Sequence, residues 1–255
     1  MNNNLNSKLT FDNFVEGKSN RMALAATRGI SEHPALPTHK PLLLYGSTGV
    51  GKTHLIHAAG NALIRRNPNA KVIYLHTERF MANRISALHN NTINEFKRFY
   101  YSANALLVDE IQFFAGKEEP QEDLHHIINA LLENGQPVIL TCDRSPQEAD
   151  SLEKRLKSLL SCGRSLPMKA PDLETRMEIL KRKAEEAKIG LPNDTALFIA
   201  QRIGSNVREL EGALRQLVAH VRLTGEQINI RPIQETLKDF IALQARPVYC
   251  KNLRN

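Results

Sequence analysis

Cysteine is scarce in this chain: the three present, Cys142, Cys162 and Cys250, lie far apart and show no paired metal-ligand spacing. That argues against a disulfide framework and a cysteine-built zinc site, and it fits a reducing cytoplasm. Long apolar runs are also lacking, and no stretch reaches the roughly 18 apolar residues that a membrane-spanning helix needs. The opening MNNNLNSKLT holds no apolar segment of the kind a secretory leader carries. Neither secretion nor a transmembrane segment is expected. Internal repeats are missing too, as is any low-complexity block beyond the short Asn-rich start.

What is there suffices for a fold. The 255 residues, 42% hydrophobic and 24% charged, can bury the core of one large domain or of a main domain with a smaller one. A net charge of +7 favours a polyanionic partner, either nucleic acid or an acidic lipid surface. The alternative is that Lys and Arg simply cover solvated helix faces.

Residues 1–40 read as a lead and linker, with a helical stretch near Met22 to Arg28 and the turn-rich SEHPALPTHK at the end. From residue 41 short apolar runs alternate with helical patterns. PLLLYG (41–46), KVIYLH (71–76), ALLVDEI (105–111) and PVILTC (137–142) have the continuous apolar character of parallel strands buried on both faces. Helices are expected over 53–66, 78–90, 93–101, 121–133 and 151–161. The alternation predicts an α/β fold, a parallel sheet flanked by helices, over 41–170. After KAPD every segment reads as helix: LETRMEILKRKAEEAK, DTALFIAQRI, VRELEGALRQLVAHVRL and IRPIQETLKDFIAL. A small helical domain is therefore expected over 171–245, with a tail over 246–255.

The stretch GSTGVGKT, from Gly46 to Thr53, satisfies the phosphate-loop pattern G-x-x-x-x-G-K-[ST] in full, between a strand and a helix. Glycines allow backbone N–H groups to converge on phosphate oxygens, Lys52 brings a point charge to the β/γ-phosphates, and the Thr53 hydroxyl completes a Mg²⁺ shell. Gly46, Gly49 and Gly51, with Lys52, Thr53 and His54 behind them, form the candidate nucleotide site. The third strand ends in Asp109 and Glu110 at the carboxyl edge of the sheet, where ligands of open α/β sheets bind. Asp109 is assigned to Mg²⁺, and Glu110 to orienting or deprotonating the attacking water. The next strand ends TCDR, so Thr141 or Asp143 points to the same edge to sense phosphate or water, unless Asp143 caps the turn before SPQE. Arg208 in SNVRELEG lies in the first turn of a helix, from which it either reaches a phosphate or pairs with a neighbouring helix.

Taken together, FDNFVEGKSN, GVGKTH, LLVDEIQFFAGKE, LTCDR, PDLETRMEILKRKAEE and SNVRELEGAL resemble the bacterial DnaA replication-initiator family over residues 9–245. The resemblance implies an AAA+ ATPase with a helical lid. Its ATP form assembles head to tail and opens origin DNA, and hydrolysis switches it off. By that resemblance Lys52 and Thr53 bind ATP, Asp109 binds Mg²⁺, Asp143 is a first sensor and Arg208 a lid sensor, with Glu110 where a second Asp is usual. It also implies an acidic lipid surface as a partner.

The insertion RFMANRISALHNNTINEFKRFYYS resembles helices that line a single-stranded DNA path in the family. Arg84, Lys97 and Arg98 are its candidate phosphate contacts, with Phe99 and Tyr100 nearby; these aromatics read as core rather than as stacking groups. At the inter-subunit arginine finger this chain has Leu159, although Arg155 remains. The family's N-terminal domain and its duplex-reading helix-turn-helix domain are not expected here. The expected function is a shortened initiator that uses ATP as a switch, assembles with itself or with a full-length initiator, and contacts single-stranded DNA. A stand-alone regulator acting through protein contacts, or a non-functional truncated copy, is the alternative.

Overall fold

The computed structural model describes residues 4–33, 40–149, 152–204 and 206–225. It divides into two compact units, Met1–Lys169 and Ala170–Asn255.

The first unit is built on five parallel strands: β1 (Leu42–Tyr45), β2 (Val72–His76), β3 (Ala105–Asp109), β4 (Val138–Cys142) and β5 (Arg164–Pro167). Around them run α1 (Arg21–Glu32), α2 (Lys52–Arg66), α3 (Thr77–His89), α4 (Ile93–Tyr101), α5 (Glu118–Glu133) and α6 (Lys154–Cys162). Every residue of β3 and β4 is buried, as expected for strands covered on both faces. Successive side chains on a strand point to opposite faces, and β1 shows the result. Leu42 and Leu44 join one core with Leu55, Ile56 and Leu107, while Leu43 joins the other with Phe80, Leu106 and Leu140. Each such leucine stabilises the fold by about 1.5–3 kcal/mol relative to an exposed one.

The strand order is β2-β3-β4-β1-β5. The chain leaves β1, crosses to β2 at the far edge, returns through β3 and β4, and then places β5 on the other side of β1. The direction of winding reverses between β1 and β4, so the carboxyl ends of the central strands open into a crevice suited to a ligand.

The boundaries differ from the sequence expectations by a few residues. The helix expected from residue 121 begins at Glu118, with Glu118 and Glu119 in a first turn that favours acidic side chains. The helix expected from 151 begins at Lys154. Strand β5 had no sequence signal: Arg-Ser-Leu-Pro is no apolar run, its four residues are only partly buried or exposed, and it is held by pairing with β1.

In the second unit α7 (Leu173–Glu186), α8 (Asn193–Arg202) and α9 (Val207–Thr224) pack around Leu180, Ile199, Leu210 and Leu214. Asp172 caps α7 by accepting the Thr175 N–H at 2.9 Å. The helix expected over 230–243 lies outside the described residues. Among those residues no helix is long and apolar enough to cross a membrane.

Candidate nucleotide-binding site

The loop after β1 turns through conformations that L side chains rarely adopt: φ is 151° at Gly46, 80° at Gly49 and 101° at Gly51. At Gly46 a Cβ would lie 2.0 Å from the Met168 carbonyl oxygen, and at Gly51 it would press the Phe14 ring at 3.1 Å. Glycine at these two positions lets the loop approach Met168, just after β5, and Phe14 of the N-terminal lead. Gly51 ends the loop, and no side chain caps α2 there, so the first-turn N–H groups face the crevice as anion donors.

Lys52 is buried at the start of α2, and its ammonium donates to the carbonyls of Gly46 (2.5 Å) and Ser47 (2.9 Å). Burial pushes its pKa down, opposed by the negative charges of Asp109, Glu110 and Asp143 in that order. The phosphate-loop cation and the acidic strand ends thus share one pocket. Thr53 stands beside Lys52 in the first turn. His54 turns away: its Nε2 meets the Thr10 carbonyl (2.9 Å) and Asn13 Oδ1 (3.1 Å), and its ring packs edge-on against Phe14. Its side chain ties the N-terminal lead to α2, and only its backbone belongs to the phosphate loop.

Asp109, buried at the end of β3, is gripped from both neighbouring strands. The Thr141 hydroxyl of β4 donates to Oδ1, and the Tyr74 hydroxyl of β2 donates to Oδ2 at 3.1 Å. Burial drives the Tyr74 phenol far above its ordinary pKa, with Asp109 adding to the shift, so it stays a proton donor. Of the two sensor candidates at the carboxyl end of β4, Thr141 therefore serves Asp109 directly. Asp143 accepts both donors of Arg144, at 2.9 and 2.7 Å, and this hydrogen bonding holds its carboxyl below the usual range. The turn after it is closed instead by Ser145 and Glu148.

Glu110 follows in a left-handed conformation, φ 60° and ψ 55°. Its N–H goes to Thr141 Oγ1 (2.8 Å), its carbonyl accepts from Thr77 (3.0 Å), and its carboxylate meets His76 Nε2 at 2.7 Å. His76 pairs with Asp109 in the β2–β3 register. Sequence reasoning missed Tyr74, His76 and Thr77, because their relation to the acidic pair exists only once β2 lies beside β3. The donor set, a Thr hydroxyl and a buried carboxylate next to an anion-binding helix end, consists of hard oxygens and fits Mg²⁺.

The three cations singled out on the α3–α4 insertion separate. Arg84 is nearly buried and binds Asp123 (2.6 Å) and Glu119 (2.8 Å), while Lys97 takes the other Asp123 oxygen at 2.8 Å. Burial alone would raise the Asp123 pKa, but these two cations outweigh it and hold the carboxyl below its usual range. Arg98 is exposed. Tyr100 is core, as the sequence suggested, whereas Phe99 is 50% exposed and lies under the Lys71 ammonium, 4.0 Å from its ring centroid. In the second unit Arg208 is exposed, and its own N–H is capped by Asn206 Oδ1 at 3.0 Å.

Residues 5–166 match the family described as the bacterial DnaA ATPase domain. Domain III of the Thermotoga maritima replication initiation protein DnaA is 33% identical with a TM-score of 0.88, the match covering 93% of this chain and 98% of that one. AMPPCP-bound DnaA from Aquifex aeolicus is 33% identical with a TM-score of 0.80, covering 92% and 70%. A replication initiator DnaA bound to AMPPCP and single-stranded DNA gives 33% and 0.79, covering 94% and 70%. Thermotoga maritima RuvB, 18% identical with a TM-score of 0.65, shares the fold alone.

Proposed function

The chain belongs to the bacterial DnaA ATPase family, and from that premise we propose that it binds ATP with Mg²⁺ as a conformational switch in replication initiation and contacts single-stranded DNA. The observation that carries this reading is the convergence of Lys52, the open N-terminus of α2 and the Asp109 carboxylate in one crevice. Relatives bound to AMPPCP and to single-stranded DNA support it.

In this reading the backbone around Gly46, Gly49 and Gly51 cradles phosphate, and Lys52 exchanges its two carbonyl partners for phosphate oxygens. Thr53 and Asp109 hold the metal, whose chemistry is to neutralise charge on the β- and γ-oxygens. Glu110 orients the water of a slow hydrolysis and Asp143 senses its progress, while Arg208 is the lid sensor that the family resemblance assigns. Arg98, exposed and in no ion pair among the described residues, is the phosphate contact on the insertion.

A second reading is a regulator that meets a full-length initiator through protein contacts. Leu159 favours it: this side chain packs partly buried against the core instead of presenting a cation to a neighbouring subunit.

The test begins with Lys52→Ala, which should abolish ATP binding in a filter assay; undiminished binding would remove the phosphate-loop assignment. Light scattering with single-stranded DNA, comparing ATP with ADP, then separates the readings. Assemblies that grow only in ATP support the switch. A monomer in both, with ATP bound, supports the regulator.

A further inference from the structure

Tyr74, partly buried, and His57, buried, are polar rings beside the nucleotide site that no step above uses. Tyr74 lies on β2, a strand that contributes nothing to the phosphate loop, yet its hydroxyl reaches across to Asp109 Oδ2 at 3.1 Å. Thr141 holds the other oxygen from the opposite side. Each carboxylate oxygen offers two acceptor sites. One hydroxyl on each oxygen therefore fixes the rotation of the carboxylate and leaves one site per oxygen for a metal or its water.

The phenol is itself held. The His57 ring of α2 lies against it with centroids 4.1 Å apart and planes inclined by 39°. His57 is in turn fixed by the Asn6 N–H, which donates to Nδ1 at 3.2 Å. A connected path thus runs from the N-terminal lead through α2 and β2 to the Asp109 carboxylate. Neither Tyr74 nor His57 points a donor at the phosphate loop, so the path acts on the carboxylate alone.

We propose that Tyr74, braced by His57, is a positioning residue that presents the Asp109 carboxylate to Mg²⁺. The inference rests on the nucleotide-binding reading above. Partners that orient metal ligands typically change metal affinity 10–100-fold when removed. Loss of the Tyr74 hydroxyl should weaken the response to Mg²⁺ by about tenfold and leave metal-free nucleotide contacts intact.

The experiment uses the full chain with a fluorescent N-methylanthraniloyl derivative of ATP, titrated first in EDTA and then against rising MgCl2. Tyr74→Phe keeps the ring and its stacking and removes only the hydroxyl. It should bind the probe in EDTA with the parent's affinity and require about tenfold more Mg²⁺ to reach tight binding. His57→Phe, which retains both the stacked ring and the Tyr74 hydroxyl, should keep the parent's Mg²⁺ midpoint.

The same midpoint in Tyr74→Phe and parent would overturn the proposal. So would an equal loss of affinity with and without metal, which marks a general defect of the pocket. A parent that fails to bind the probe under either condition defeats the nucleotide reading itself, and the proposal with it.

Discussion

Replacing Arg84 by alanine distinguishes a cation that builds the fold from one that meets DNA. The Arg84 side chain is 12% exposed and bridges Asp123, 10% exposed, and Glu119, 76% exposed. The exposed partner contributes less than about 1 kcal/mol, as surface pairs generally do. Removing one member of a buried pair costs about 3–5 kcal/mol because the other charge is stranded. Here Lys97 still holds Asp123 at 2.8 Å, so the cost belongs at the low end, about 3 kcal/mol. For a unit of this size each kcal/mol lowers the melting temperature by about 2–4 °C, so the variant should melt about 6–12 °C below the parent. Thermal melts measure this, and single-strand binding from 50 to 200 mM salt provides the control. A lost phosphate contact flattens the slope of log K against log salt by about 0.7. The reasoning fails if Arg84→Ala melts with the parent and loses that slope.

Arg98→Ala should behave oppositely, with an unchanged melt and a salt slope reduced by about 0.7; an unchanged slope removes Arg98 from the DNA surface. Gly46→Ala forces a Cβ to within 2.0 Å of the Met168 carbonyl at a φ of 151°. Backbone strain of this kind costs about 1–3 kcal/mol, so the variant should melt lower and lose ATP in the filter assay, and parental behaviour in both would discount the close approach. Burial depresses the His57 pKa below 6.5, with Asp109 from β3 opposing and His54 on the same helix adding. The unfolded chain then binds a proton that the folded chain refuses, so stability is whole above about pH 6.5 and declines as pH falls toward the folded pKa. His57→Phe should reduce the loss seen between denaturant melts at pH 7.5 and 5.5. An identical loss would assign the effect to other groups, among them His125, whose pKa burial also lowers.

The phosphate loop and the acidic end of β3 were legible because each is a contiguous signal: glycines at fixed spacing before a helix, carboxylates after an apolar run. The four mostly apolar strands were legible for the same reason, since burial leaves a local mark. Strand β5 left none. Arg164–Pro167 is a strand because β1 offers it a hydrogen-bonding edge, and nothing in its composition demands that geometry. His54 reads as part of the loop by position, yet its ring is drawn to Thr10 and Asn13, more than 40 residues earlier.

Sequence by itself determined the α/β class, the phosphate loop, the acidic pair and the family, because these rest on local pattern and on the short-range rules of strands, helices and glycine turns. Tertiary structure decided which of the groups so named are free to act. It placed Asp123 on α5 against Arg84 and Lys97, cancelling charges that the insertion carries in sequence, and left Arg98 in solvent. By setting β2 beside β3 it also gave Asp109 its Tyr74 and Glu110 its His76. Charge neutralisation and side-chain orientation depend on neighbours brought together across dozens of residues, and those neighbours exist only in the folded chain.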